Sequence, residues 1–146
     1  MKFNSQICTT KEQSERLLAL GLKKETADMM FIVLVKDFRG EDVPNAERVY
    51  SLCTWYEETS MSVGLEKREY IPAWSLHRLI EMMPNEIFYE DSTLILGVFG
   101  DGVYYADNEY GEVFKSFDGN LYNCIIKCID WLIKEGYFNK EYLEGK

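Results

Sequence analysis

The chain has few of the residues that catalysis and metal binding draw on. It carries one histidine, His77, in 146 residues, which excludes a polyhistidine metal centre or a proton relay built on several imidazoles. Its three prolines, Pro44, Pro72 and Pro84, are isolated, and no repeat, linker or low-complexity tract interrupts the sequence, so residues 1–146 read as one globular domain. The longest apolar run, Met29 to Val35, falls far short of a membrane span. The opening Met1-Lys2-Phe3-Asn4-Ser5-Gln6 lacks the apolar stretch of a signal peptide. Positive charge is scarce: 16 Lys and Arg against 25 Asp and Glu leave a net −9. That field repels phosphate backbones and anionic lipid, so neither nucleic acid nor membrane is an expected partner. A soluble cytoplasmic protein follows as the expectation. Cys8, Cys53, Cys124 and Cys128 have no secretory context and read as reduced thiols.

Apolar residues are plentiful, at 47%, which excludes a disordered chain. Leu121, Cys124, Ile125, Cys128, Ile129 and Leu132 recur at helical spacing and form one apolar stripe. Cys124 and Cys128 share that face, as a metal or redox pair would. Zinc would need Cys8, Cys53 or His77 to complete its ligands, but the second closely spaced pair of usual zinc sites is absent. The expectation is therefore two buried, reduced, unliganded thiols, packed with Ile125, Ile129 and Leu132 against a sheet of Phe31–Val35 and Thr93–Phe99. No metal and no cofactor are expected.

Along the chain, Thr9 with Glu12 reads as a capping box opening a helix over roughly residues 10–20, stopped at Gly21. Thr26 caps a short turn through Asp28. Phe31–Val35 reads as a buried strand and Val49–Tyr56 as its antiparallel partner. Residues 57–70 are polar and carry no clear pattern. Pro72 suits the first position of a helix that Pro84 ends, with Leu76, Leu79, Ile80 and Met83 on its buried face. Thr93–Phe99, Val103–Ala106 and Glu112–Phe117 form a meander with glycine-bearing turns. A C-terminal helix capped by Asp118 or Asn120 runs to Gly136, and a last turn spans Asn139–Leu143. The fold class is α+β: an antiparallel sheet of about five strands (two strands, then a three-stranded meander) with three main helices packed on one face.

Functional candidates are sparse. His77 lies off the apolar stripe of its helix, and Ser75, two residues away, faces elsewhere, so the two make no nucleophile and base. Asp91, Asp101, Asp107, Glu109 and Asp118 fall at turns, with Glu90 beside them, and would bind a hard cation or act as an acid–base pair only if the turns converged. The Asp107–Gly111 stretch lacks the alternating ligand order of a calcium loop. Aromatics are in excess: ten Tyr, eight Phe and three Trp. Adjacent strand residues point to opposite faces, so one of Tyr104 and Tyr105, and one of Trp55 and Tyr56, should stand on the face away from the helices, where exposed aromatics mark interaction surfaces.

Three stretches carry a resemblance. They are Ile7-Cys8-Thr9-Thr10-Lys11-Glu12-Gln13 running on to Leu20-Gly21-Leu22 and Thr26-Ala27-Asp28-Met29, then Ile71-Pro72-Ala73-Trp74-Ser75-Leu76 with Leu79 and Pro84, and finally Trp131-Leu132 with Gly136-Tyr137. Together they resemble a family of short proteins of no assigned activity from Bacteroides-group gut bacteria and their phages or mobile elements. The resemblance implies a bacterial cytoplasmic setting and a link to mobile elements, and it carries over no catalytic residue. The functional expectation is a small acidic non-catalytic protein that binds another protein, or itself, through Trp55 or Tyr56 and Tyr104 or Tyr105. Its alternatives are a cation-dependent enzyme using the turn carboxylates and an acidic DNA mimic from a mobile element.

Overall fold

The computed structural model describes residues 6–54, 64–107 and 109–145. Among the described residues there are three α-helices and two antiparallel sheets, in the order α1 (Lys11–Ala19), β1 (Met29–Lys36), β2 (Tyr50–Thr54), β3 (Lys67–Ala73), α2 (Leu76–Met82), β4 (Glu86–Tyr89), β5 (Ser92–Phe99), β6 (Gly102–Asp107), β7 (Gly111–Phe117) and α3 (Leu121–Glu135). One sheet has the order β2-β1-β3 and the other is the meander β4-β5-β6-β7.

The single five-stranded sheet is thus corrected to two sheets of three and four strands. Two strands escape the sequence pattern. β3 begins in a polar stretch, and its Pro72 reads as a helix start, yet Pro72 pairs with Met30 inside the strand. β3 is an edge strand, and proline is tolerated there because one side of the strand has no partner that needs its N–H. β4 is four residues long and begins two residues after Pro84, leaving too little length for an alternation to show.

Helix ends follow side-chain chemistry. The α1 cap is Thr10, whose hydroxyl accepts from Gln13 N while Gln13 Oε1 accepts from Thr10 N, a capping box one residue later than Thr9 with Glu12. Thr9 is buried instead, bonded to Ser14 Oγ at 2.8 Å. Ser75 caps α2, which starts beyond Pro72 at Leu76. Asn120 caps α3, and Gly136 ends it in the left-handed region at φ 79°.

The core gathers on α3. Cys124, Ile125, Cys128, Ile129 and Leu132 are fully buried in one cluster with Leu17 of α1, Leu79 of α2, Leu94 of β5 and Val103 and Tyr105 of β6. α3 lies across β6 and β7, so its stripe packs on the meander, but over these two strands rather than the expected Thr93–Phe99 strand, which contributes Leu94 to the same cluster. Phe31–Val35 does not join that cluster; α1 packs on β3 and α3 instead. Among the described residues no helix is long and apolar enough to cross a membrane.

The cysteines behave as core residues. Cys8, Cys124 and Cys128 are buried and form no disulfide, and Cys53 is half-buried. Burial pushes the Cys128 thiol up to about 12, so no thiolate forms there at neutral pH. Cys124 Sγ lies 3.2 Å from Asp118 Oδ1. In native protein at about pH 8, near the ordinary thiol value, the expected result of thiol titration is that Cys8, Cys124 and Cys128 stay unlabelled until denaturant is added. Rapid labelling of both α3 thiols would contradict this packing.

Candidate functional site

The four-stranded sheet has two unlike faces because its strands alternate. Leu94, Leu96, Val98, Val103 and Tyr105 turn toward α3 and the core. Ile95, Gly97, Phe99 and Tyr104 therefore turn the other way, joined by Phe88 of β4 and Phe117 of β7. This outer face stays open: Phe88 is 83% exposed, Ile95 57%, Phe99 53% and Phe117 40%.

Two glycines shape it. Gly97 pairs with Tyr104, whose ring lies so close over the glycine that an added Cβ would sit 2.2 Å from it. Gly102 pairs with Phe117 in the same way, with ring carbon and added Cβ 2.3 Å apart. An aromatic ring laid over a strand glycine covers the bare backbone and fixes the ring flat on the sheet. Phe99 then stacks on Tyr104, with ring centres 5.6 Å apart and planes at 22°, and meets Phe117 at 6.1 Å. The three rings form one wall of a shallow groove of about 580 Å³ whose other lining includes Ala106, Asp107, Glu112 and Lys115.

Charge on this part of the chain is one-sided. From Glu86 to Asp118 every charged side chain is a carboxylate except that of Lys115. Lys115 lines the groove with its side chain more than half exposed, its ammonium 3.3 Å from Glu112 Oε2 and 5.7 Å from the centre of the Phe117 ring. Asp107 accepts from Ser92 Oγ and from the backbone N–H groups of Tyr110 and Glu109, which holds its carboxyl below the usual range. It stays ionised at any physiological pH.

The turn carboxylates do not all converge. In the meander, Glu90, Asp91, Asp107 and Glu109 stand at one end of the sheet, while Asp101 and Asp118 stand at the other. Among the described residues, no group of three or more His, Cys, Asp or Glu side chains is placed to hold a metal. Asp118 instead braces the start of α3. It takes hydrogen bonds from Lys127 Nζ at 3.0 Å, from the Cys124 thiol and from Asn120 N. Those bonds lower its carboxyl from 3.8 to about 2. A lowered folded-state value stabilises the fold above the unfolded value, and that contribution fades as pH falls toward about 2. Asp118→Asn is therefore expected to flatten the dependence of melting temperature on pH within the roughly 2–4 window where carboxylates titrate. An unchanged acid limb would contradict it.

His77 is exposed on α2 and lies 3.5 Å from Glu81, one turn on. The Ser75 hydroxyl is taken up by Asp28 and by the N–H of Arg78, so the pair forms no catalytic couple. Tyr105 is fully buried and donates to Pro84 O at 2.6 Å, whereas Tyr104 stands on the outer face, as strand alternation requires. Trp55 and Tyr56 lie outside the described residues. Residue types alone do not single out Phe88, Ile95, Phe99, Glu112, Lys115 or Phe117. The signal present in the sequence is Gly97, a lone glycine inside an apolar strand, which marks a close approach by a neighbour. Compared with protein-family models, curated proteins and solved structures, the chain matches none.

Proposed function

We propose that this is a non-catalytic binding protein that docks a second polypeptide on the outer face of its four-stranded sheet. The observation that carries this reading is the row of exposed apolar side chains Phe88, Ile95, Phe99 and Phe117, left uncovered on a face whose rings are stacked into place. An antiparallel sheet that needs only solubility places polar residues on its open face, and a contiguous apolar patch marks an interaction site. Stacked rings held over glycines lose little side-chain entropy on binding, which favours recognition. The family resemblance adds a bacterial cytoplasmic setting to the proposal.

Photo-crosslinking tests it directly. A benzophenone amino acid replaces Phe88 or Phe99 on the face, or Val49, which is 72% exposed just before β2 of the other sheet. Adducts with a discrete protein from the two face positions, and none from Val49, are expected. Equal adducts from all three positions, or adducts from Val49 alone, would overturn the reading.

A further inference from the structure

Resting on that docking reading, we infer that the partner presents a basic segment, and that an arginine or lysine side chain of that segment enters the groove walled by Phe99, Tyr104 and Phe117 and bounded by Glu112. A partly exposed cation on the groove's lining already sits in this arrangement. Lys115 places its ammonium against Glu112 and over the Phe117 ring, so the geometry for holding a cation between a carboxylate and an aromatic face is present in the chain itself. The Phe99–Tyr104 stack lacks an equivalent cation among the described contacts. Guanidinium groups are planar and weakly hydrated, and they lie flat on such rings.

Charge decides the class of partner. Lys115 is the only basic residue between Glu86 and Asp118, and although Lys115 pairs with Glu112 and Lys127 of α3 pairs with Asp118, the eight carboxylates of this stretch outnumber those two cations. A second copy of this chain would bring the same carboxylates against them, and like charges brought together at an interface disfavour the pairing. A nucleic acid is repelled for the same reason. A basic segment is attracted from a distance and held by the rings on contact.

The experiment uses the full-length protein and three fluorescent twelve-residue probe peptides, alternating threonine with arginine, with glutamate or with valine. The arginine peptide is expected to bind, and its affinity to fall as salt rises. Glu112→Gln should weaken it roughly threefold by removing the facing charge. Lys115→Gln should strengthen it roughly threefold, because the internal cation no longer occupies Glu112 and the ring. Lys134→Gln and Glu135→Gln on α3 make the same charge changes elsewhere. If they shift affinity as much as the groove variants, the attraction is general and the inference falls. Tyr104→Leu, checked for its melting temperature, should lose binding through the missing ring while keeping the charge. Tight, salt-insensitive binding of the valine peptide on this face would overturn the basic partner and leave the docking reading standing. A concentration-dependent dimer that protects Phe99 and Phe117 would do the same. No binding of any peptide and no dimer, with crosslinks to a partner absent from Phe88, would overturn both.

Discussion

Replacing Trp74 with alanine is expected to cost about 3–5 kcal/mol, a large part of the roughly 5–15 kcal/mol that holds a domain of this size together. Trp74 is fully buried and sits just past β3, where three parts of the chain meet. Its indole N–H donates to Thr26 Oγ1 at 3.0 Å, fastening the turn after α1. Its backbone N–H donates to Thr9 Oγ1 at 3.0 Å, and its carbonyl accepts from Thr9 N at 2.9 Å, fastening the segment before α1. Alanine keeps the backbone bonds but leaves a cavity and removes the donor to the Thr26 hydroxyl. Trp74→Phe retains most of the packing and should lose about 1 kcal/mol for the indole bond, plus the cost of imperfect filling. Urea unfolding measures both. Phe88→Ala on the open face should change stability by no more than about 0.5 kcal/mol. A Trp74→Ala protein as stable as the wild type would show that these three segments are joined by other means.

Gly102→Ala carries the second large effect, and it bears on stability and on the binding face together. The added methyl would meet the Phe117 ring at 2.3 Å and the Ser116 carbonyl oxygen at 2.5 Å. A ring can swing aside, whereas the carbonyl belongs to the neighbouring strand, so β6 and β7 must part locally. Overpacking of this kind costs about 1–3 kcal/mol. Gly97→Ala differs in a useful way, because the nearest atoms its methyl meets all belong to the Tyr104 side chain, the closest at 2.2 Å. The expected result is a smaller drop in melting temperature for Gly97→Ala, with Tyr104 driven off Gly97 and its stack on Phe99 broken. Gly102→Ala should lower stability more and displace Phe117. Thermal unfolding together with ring-current shifts of the Phe99 and Tyr104 protons distinguishes the two. Equal, negligible changes in both would mean that the rings do not rest on the glycines.

Some elements are legible in the sequence and others are not, and the difference has a physical basis. The α3 stripe is legible because apolar side chains at helical spacing run through most of its 15 residues and leave one assignment. The meander is legible because Gly100 to Gly102 and the Asp107–Gly111 stretch punctuate it. β3 is hidden because local rules read Pro72 as a helix start, while the pairing that keeps it in a strand is with Met30, far away in sequence. The opposite facing of Tyr104 and Tyr105 is legible from the period of a strand, but which of them is exposed depends on where α3 lies. The groove depends on three strands in register, so Phe99, Glu112, Lys115 and Phe117 become neighbours only once the sheet is built.

The most direct measurement of where this protein binds is carbene footprinting, read by mass spectrometry, with and without a saturating concentration of the alternating arginine–threonine peptide. Labelling at Phe99, Tyr104 and Phe117 is expected to fall on binding, while Val49, Phe38 and Leu65, all exposed elsewhere, keep theirs. Protection centred instead on Phe31 and Tyr50, which line a second groove of about 370 Å³ beside the start of α1, would contradict the central claim and move the binding site to the three-stranded sheet.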